Sequence, residues 1–236
     1  EIEEADLVIA IAGDVLAPIV YEYYESIDGL SAACLDPDDP ATHLSSSRGG
    51  VIPGEGMAAV VMQRAGSPQT ATDKKYCSLH NWRMGADPSA TPSSWGRSAE
   101  TTAGLIRMAM GTREASDVRL IVAARNGLSA HDAVETGALR EVFGTGSSPA
   151  ILTPKDHLGE FDASAILRLA WAISARHPEE DLTAEDPGEM GLLLGSSVGG
   201  GRAALVFTLS AKVDGKSRNR VEGSASTVPC RPVSSI

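Results

Sequence analysis

The chain has 236 residues, 42% of them hydrophobic, and a formal net charge of −11. That length allows one large domain or two small ones, and the apolar share is enough for a substantial core. The acidity argues against nucleic acid as a partner, because phosphate binding needs clustered cations, and no run of about 18 apolar residues occurs, so no membrane span is expected.

Asp6 to Gly13 is a short apolar run bounded by an acid and a glycine, and it reads as a buried strand. Pro18 to Gly29, with Tyr21, Tyr23 and Tyr24, reads as a loop or short helix over that strand. Asp36 to Gly50 is a turn-rich loop, Gly56 to Met62 a second apolar strand, and Ser67 to Lys75 a polar connection. Tyr76 to Met84 reads as a strand and Pro88 to Arg97 as a loop. Ser98 to Gly111 carries Ala103, Ile106 and Met110 at helical spacing, with Ser98 as N-cap. Val118 to Ala124 is a strand, Ala130 to Phe143 a helix, and Ala150 to Thr153 a short strand. Asp162 to His177 is a strong helix stopped by Pro178. Met190 to Leu194 and Ala203 to Leu209 are strands flanking Gly199-Gly200-Gly201.

Strands and helices that alternate in this way imply an α/β layered structure. The last two strands are expected to form an antiparallel hairpin on the edge of the sheet. Residues 211–236 are polar and aperiodic, and read as a disordered tail or an arm that orders on a partner. Cys34, Cys77 and Cys230 lack paired spacing, so neither a disulfide framework nor a zinc site is expected. A reducing cytoplasm is the expected setting. The chain opens on Glu1 without a signal-peptide pattern, which points to a cleaved, trimmed or partial polypeptide.

Four segments, in order, resemble the β-ketoacyl synthases, the condensing enzymes of fatty acid and polyketide synthesis. Asp6 to Gly13 is similar to the family's Asp-x-Ala-x-x-Gly-Gly strand, with Asp14 in place of the second glycine. Arg48 to Met62, which contains Gly54-Glu55-Gly56, is the most specific match. Asp132-Ala133-Val134-Glu135 is similar to the family's Asp-x-x-Glu helix. Lys155 to Gly159 and then Gly199-Gly200 resemble the lysine motif and the glycine-rich gating turn. The resemblance covers about residues 6–209 and implies a thiolase-like layered sandwich: the end of the first half over 1–68, the whole second half over 69–210, and a polar arm over 211–236.

The departures bear on function. The resemblance places the family's two histidines at Ala124 and Glu160. It places the nucleophilic cysteine on a preceding segment or on another polypeptide. An ionised carboxylate at Glu160 would oppose the negative charge that builds up during decarboxylation. No catalytic residue is therefore expected, and neither a metal nor a cofactor. Val198 and Ser196 stand where the gating turn usually carries phenylalanines, and Arg202 replaces an asparagine.

Lys155, Glu160, Asp132, Glu135, Glu55, Val198, Gly199 and Gly200 are the structural or pocket candidates. Lys155 reads as structural, held by a carboxylate, and Glu135 as part of a satisfied buried network. Glu160 reads as a tolerated substitution or as a partner for Lys155. His157 reads as a surface or satisfied histidine, and Cys34 and Cys77 as inert thiols. The glycine run is a poor phosphate loop because a strand, not a helix, follows it. Asp36-Pro37-Asp38-Asp39 reads as a solvated loop.

This pattern of a kept scaffold and lost histidines is similar to chain length factors, which pair with an active ketosynthase in type II polyketide synthases. The expected role is a non-catalytic subunit that shapes the acyl-chain pocket. Its expected partners are an active ketosynthase, in a heterodimer, and an acyl carrier protein. A fragment of an active or decayed ketosynthase is the alternative, and a docking scaffold with a filled pocket is a third. A half-complete layered fold exposes apolar faces and sheet edges, so an obligate interface above standard size is expected.

Overall fold

The computed structural model describes residues 5–27, 29–31, 49–65, 76–144, 149–161, 164–176 and 188–210. In chain order the elements are β1 (Leu7–Asp14), α1 (Pro18–Ser26), β2 (Gly56–Gln63), β3 (Cys77–Ala86), α2 (Ala99–Met110), β4 (Val118–Val122), α3 (Ser129–Phe143), β5 (Ala150–Leu152), α4 (Lys155–Leu158), α5 (Ser164–Arg176), β6 (Met190–Ser196) and β7 (Gly201–Leu209). Cys34, Cys230, the Asp36–Asp39 run, Arg48, the Ser67–Lys75 connection and the 211–236 arm lie outside the described residues.

Two sheets form. β1 and β2 make an antiparallel ribbon, and the other five strands run in the order β3-β7-β6-β4-β5. β4 is parallel to β5 and β6, whereas β7 is antiparallel to both β6 and β3. The β6–β7 hairpin is therefore inside the sheet, not on its edge. β3 covers its outer side, a long-range pairing that no local pattern announces. β7 also starts at Gly201, so the connecting turn is 197–200.

One face of the five-stranded sheet buries Val118, Ile121, Leu192, Leu194, Ala204 and Val206 against Ile106, Ala109 and Met110 of α2 and Leu139 and Phe143 of α3. The opposite face buries Leu120, Val122, Leu193, Phe207 and Leu209 against Leu169 and Ala172 of α5. The apolar runs of β4 and β6 follow from this, because strands covered on both faces need no polar alternation. α5 also packs on the β1–β2 ribbon. The described residues thus form four layers: helices, the five-stranded sheet, α5 and the ribbon.

Among the described residues nothing covers the far side of the ribbon. Ile9 pairs with Val61 and Ile11 with Ala59 on that side, and Ile9, Ile11, Met57 and Val61 are all exposed. Directly opposite residues share a face, so this is one continuous apolar surface.

α2 begins where the sequence predicts. The Ser98 hydroxyl accepts the Thr101 N–H at 3.0 Å, satisfying one of the orphan donors of the first turn. Replacing Ser98 by alanine should lower stability by about 1 kcal/mol in denaturant unfolding. Asp87 supports the same turn by accepting the Ser98 N–H at 2.8 Å.

Candidate functional site

Glu160 is fixed by backbone from a distant segment. Its N–H donates to the Ile52 carbonyl at 2.8 Å, and its carbonyl accepts the Gly54 N–H at 2.9 Å. Pro53 and Glu160 form an isolated parallel bridge. The Gly-Glu-Gly motif and the lysine motif are therefore stitched together main chain to main chain. The approach leaves no room for side chains: a Cβ on Gly54 would lie 2.2 Å from the Leu158 carbonyl oxygen, and Gly159 has φ of 76° with Gly54 against it.

The Glu160 side chain turns back to α4, where Lys155 Nζ donates to its Oε2 at 2.5 Å. Both residues are buried, at 5% and 7% exposure. Burial pushes the Lys155 pKa below its ordinary value; the Glu160 carboxylate opposes that shift, and the Arg168 charge adds to it. His157 is exposed and stacks on Trp171 with ring centroids 5.4 Å apart, outside the cleft.

Around Ala124 the described groups are polar, and the His131 Nδ1 stands 3.4 Å from Asp132 Oδ1 among them. Glu135 of α3 accepts the Ala124 N–H at 2.8 Å, and its other oxygen is 3.4 Å from Arg125 Nε. Asp132 accepts the Asn126 N–H at 3.1 Å. The two α3 carboxylates thus hold the loop that leaves β4. Gly127, with φ of 89°, meets Gly50 across that loop, and the Gly50 N–H donates to its carbonyl at 2.7 Å.

His131 lies in the first turn of α3 and is buried. It shares a 2.9 Å hydrogen bond with Ser196 Oγ and stands edge-on to Trp95, with ring centroids 6.0 Å apart. Arg202 donates to the Trp95 carbonyl and lies 3.6 Å from Asp87. Burial alone would raise the Asp87 pKa; the Ser89 and Ser98 hydrogen bonds and the Arg202 charge outweigh it and hold the carboxyl below its ordinary value. The gating turn is anchored in the same place, with Gly199 N–H donating to Ser94 at 2.9 Å and Asp87 N–H to Gly200 at 2.8 Å.

A cleft of about 250 Å³ opens between these groups. Tyr24 and Trp95, stacked with centroids 6.2 Å apart, form one wall. Glu160, Ser164 and Arg168 form the polar side, and Ser196 and Val198 close it from the turn. Among the described residues no histidine and no cysteine lines this cleft. Of the residues singled out by sequence, the structure brings Glu160 and Val198 to it. Lys155, Asp132, Glu135, Gly199 and Gly200 do not line it. Glu55 is elsewhere, accepting the Leu16 N–H at 3.0 Å on an exposed surface.

Sequence reasoning missed Arg168, Trp95 and Asp87. Arg168 had one signal, a single charge inside the apolar run Ile166-Leu167-Arg168-Leu169-Ala170-Trp171. Cys77 is half-buried and packs beside the α5 face of the sheet, away from the cleft. Among the described residues no cluster of three or more His, Cys, Asp or Glu could hold a metal ion, and no helix is long and apolar enough to cross a membrane.

No family profile and no curated protein matches the chain. Solved structures do. A β-ketoacyl synthase from Burkholderia phymatum STM815 superposes with a TM-score of 0.71 at 18% identity, over 88% of this chain and 56% of that one. The PfaC keto synthase–chain length factor gives 0.64 at 18%, over 89% and 20%. A type II polyketide synthase acyl-carrier protein in complex with its ketosynthase bound to the hexaketide (AntDE:AntF) gives 0.68 at 18%, over 87% and 57%. The chain thus spans at most a little over half the length of these structures. Its fold is that of part of a ketosynthase, a mixed α/β structure of the thiolase-like kind.

Proposed function

We propose that the chain is a non-catalytic ketosynthase-like subunit, of the chain-length-factor kind, that pairs with an active ketosynthase and shapes the pocket of a growing acyl chain. The observation that carries this reading is the state of the two positions where the resemblance expects histidines. Ala124 offers no side chain for proton transfer, and Glu160 has its carboxylate tied to Lys155. The cleft beside them is lined by neither imidazole nor thiol among the described residues. Condensation needs an activated thiolate and donors aimed at the developing enolate.

The apolar outer face of the β1–β2 ribbon, exposed among the described residues, supports a partner. Such surfaces are covered in stable assemblies. The acidic charge suits a basic face on that partner. An acyl carrier protein is the carrier such a pair would serve. The layered organisation of the described residues supports reading 1–68 as the end of a first half and 69–210 as a second half.

One observation favours a second reading, a fragment of an active or decayed ketosynthase. The chain spans 56% and 57% of two of the solved ketosynthase structures, which leaves length for a cysteine-bearing segment.

Intact mass spectrometry of the native complex with an acyl-loaded carrier protein separates them. The expected result is an acyl adduct on a second, cysteine-bearing chain, with this chain unmodified. An adduct on this chain, or on a polypeptide continuous with it, overturns the subunit reading.

A further inference from the structure

Three polar side chains from α3 and the end of β6 are in series. Ser196 is the last residue of β6, directly opposite Arg202 across the hairpin, and it lines the cleft. Its Oγ is 2.9 Å from His131 Nε2. The other ring nitrogen, Nδ1, is 3.4 Å from Asp132 Oδ1. Hydroxyl, imidazole and carboxylate in that order of contact are the parts of a nucleophile, its base and a group that orients the base, whatever the fold that carries them.

The neighbours fix the tautomer. A carboxylate only accepts, so Nδ1 carries the ring proton and donates it to Asp132. The Arg202 Nη1, 3.4 Å from Nε2, can only donate. Nε2 therefore presents its lone pair, and the Ser196 hydroxyl donates to it. Trp95 stands edge-on to the imidazole, and His131 is 4% exposed, so the ring is held in this orientation. A histidine that merely satisfies the core would suit a hydroxyl buried with it, whereas Ser196 reaches the cavity. Ser164 and Arg168 line the same cavity, and the Arg168 Nε has no hydrogen-bond partner. Both are donors for an oxyanion that forms beside the serine.

We propose that Ser196 is a nucleophile activated by His131, and that the chain hydrolyses short carboxylic esters. Ser196 Oγ adds to the ester carbonyl carbon while its proton passes to His131 Nε2. The tetrahedral oxyanion collapses, the ester C–O bond breaks, and the alcohol leaves with the proton from Nε2. Water then attacks the acyl-serine and gives a proton to Nε2. The carboxylic acid departs as Oγ recovers that proton. Asp132 touches no substrate in this scheme and is a positioning residue. A cavity of about 250 Å³ restricts the acyl group to a short one. This activity goes beyond the subunit reading, which concerns condensation, and neither depends on the other.

The test uses the full chain, alone or with its partner. It should turn over p-nitrophenyl acetate, and a fluorophosphonate should label one residue, which peptide mapping places at Ser196. Ser196→Ala should abolish both turnover and labelling without changing thermal unfolding. Asp132→Asn still offers an oxygen to the Asn126 N–H, and should lower kcat roughly 10²–10⁴-fold with KM unchanged. A purely structural role for Asp132 would instead lower the unfolding temperature and leave kcat of the folded enzyme alone. Labelling that persists in Ser196→Ala, labelling that maps to Ser164 instead, an unchanged kcat in Asp132→Asn, or neither turnover nor labelling would each overturn the proposal. Ser196→Ala also keeps this test apart from that of the subunit reading. With an acyl-loaded carrier protein, an adduct on this chain that the variant loses sits on the serine, and one that it keeps bears on the subunit reading alone.

Discussion

Replacing Glu160 by leucine should lower the stability of the folded chain by about 3–5 kcal/mol, the effect of stranding one member of a buried ion pair. Lys155 would be left buried with its ammonium facing Arg168, which carries the same charge. The double variant Lys155→Met with Glu160→Leu should recover most of that loss, since apolar groups of similar volume replace a buried pair at little net cost. Denaturant unfolding of the two single variants and the double variant measures the coupling directly. If the double variant is as unstable as the single ones, the pair is not what holds α4 in place.

The same lysine gives a pH signature. Its folded pKa lies below the ordinary 10.5. Between that lowered value and 10.5 the unfolded chain binds more protons than the folded one, so stability attributable to Lys155 rises with pH. Below the window the burial penalty is present in full, and above 10.5 it is gone. Lys155→Met should flatten that rise, which a series of unfolding curves across the alkaline range would reveal.

Gly54→Ala should be comparably damaging, on the order of 3 kcal/mol or complete loss of folding. The added Cβ would meet the Leu158 carbonyl oxygen at 2.2 Å and Gly159 Cα at 2.9 Å. Backbone on both sides has no rotamer to change, so the parallel bridge to Glu160 must open. Gly104→Ala is the matched control. Gly104 lies inside α2 with nothing within 4 Å of an added Cβ. There the substitution should raise stability by about 0.5–1 kcal/mol, by restricting the unfolded chain. Thermal unfolding of both variants distinguishes a packing effect from a general intolerance of alanine.

Much of the fold was legible because its signals are local. Ser98 caps α2 as its position suggests, and the apolar runs of β4, β6 and β7 reflect burial within the sheet. The pairing of β3 with β7 was not legible, because strand order depends on contacts between residues far apart in sequence. Gly54-Glu55-Gly56 and the Lys155 segment each stood out as a motif. Nothing in either predicts that their main chains touch, because backbone contact leaves its trace only as glycines. Arg168 escaped notice for a related reason. A lone arginine on a helix ordinarily reaches water; here the carbonyls of Ala123 and Leu194, with the charges of Glu160 and Glu135, make its burial tolerable.

The place of β7 in the sheet has a consequence for synthesis. It is the last strand of the sheet in chain order, yet it stands between β6 and β3. On the ribosome β3 emerges early and waits, with the exposed Trp82 and Met84 along it, until β7 follows. At translation rates of about 5–20 residues per second that interval is on the order of ten seconds. Throughout it, β3 has no sheet to join and is a natural ligand for a holdase chaperone. Stalling before β7 would yield a polypeptide whose first and middle strands can never meet, and its removal would fall to proteolysis.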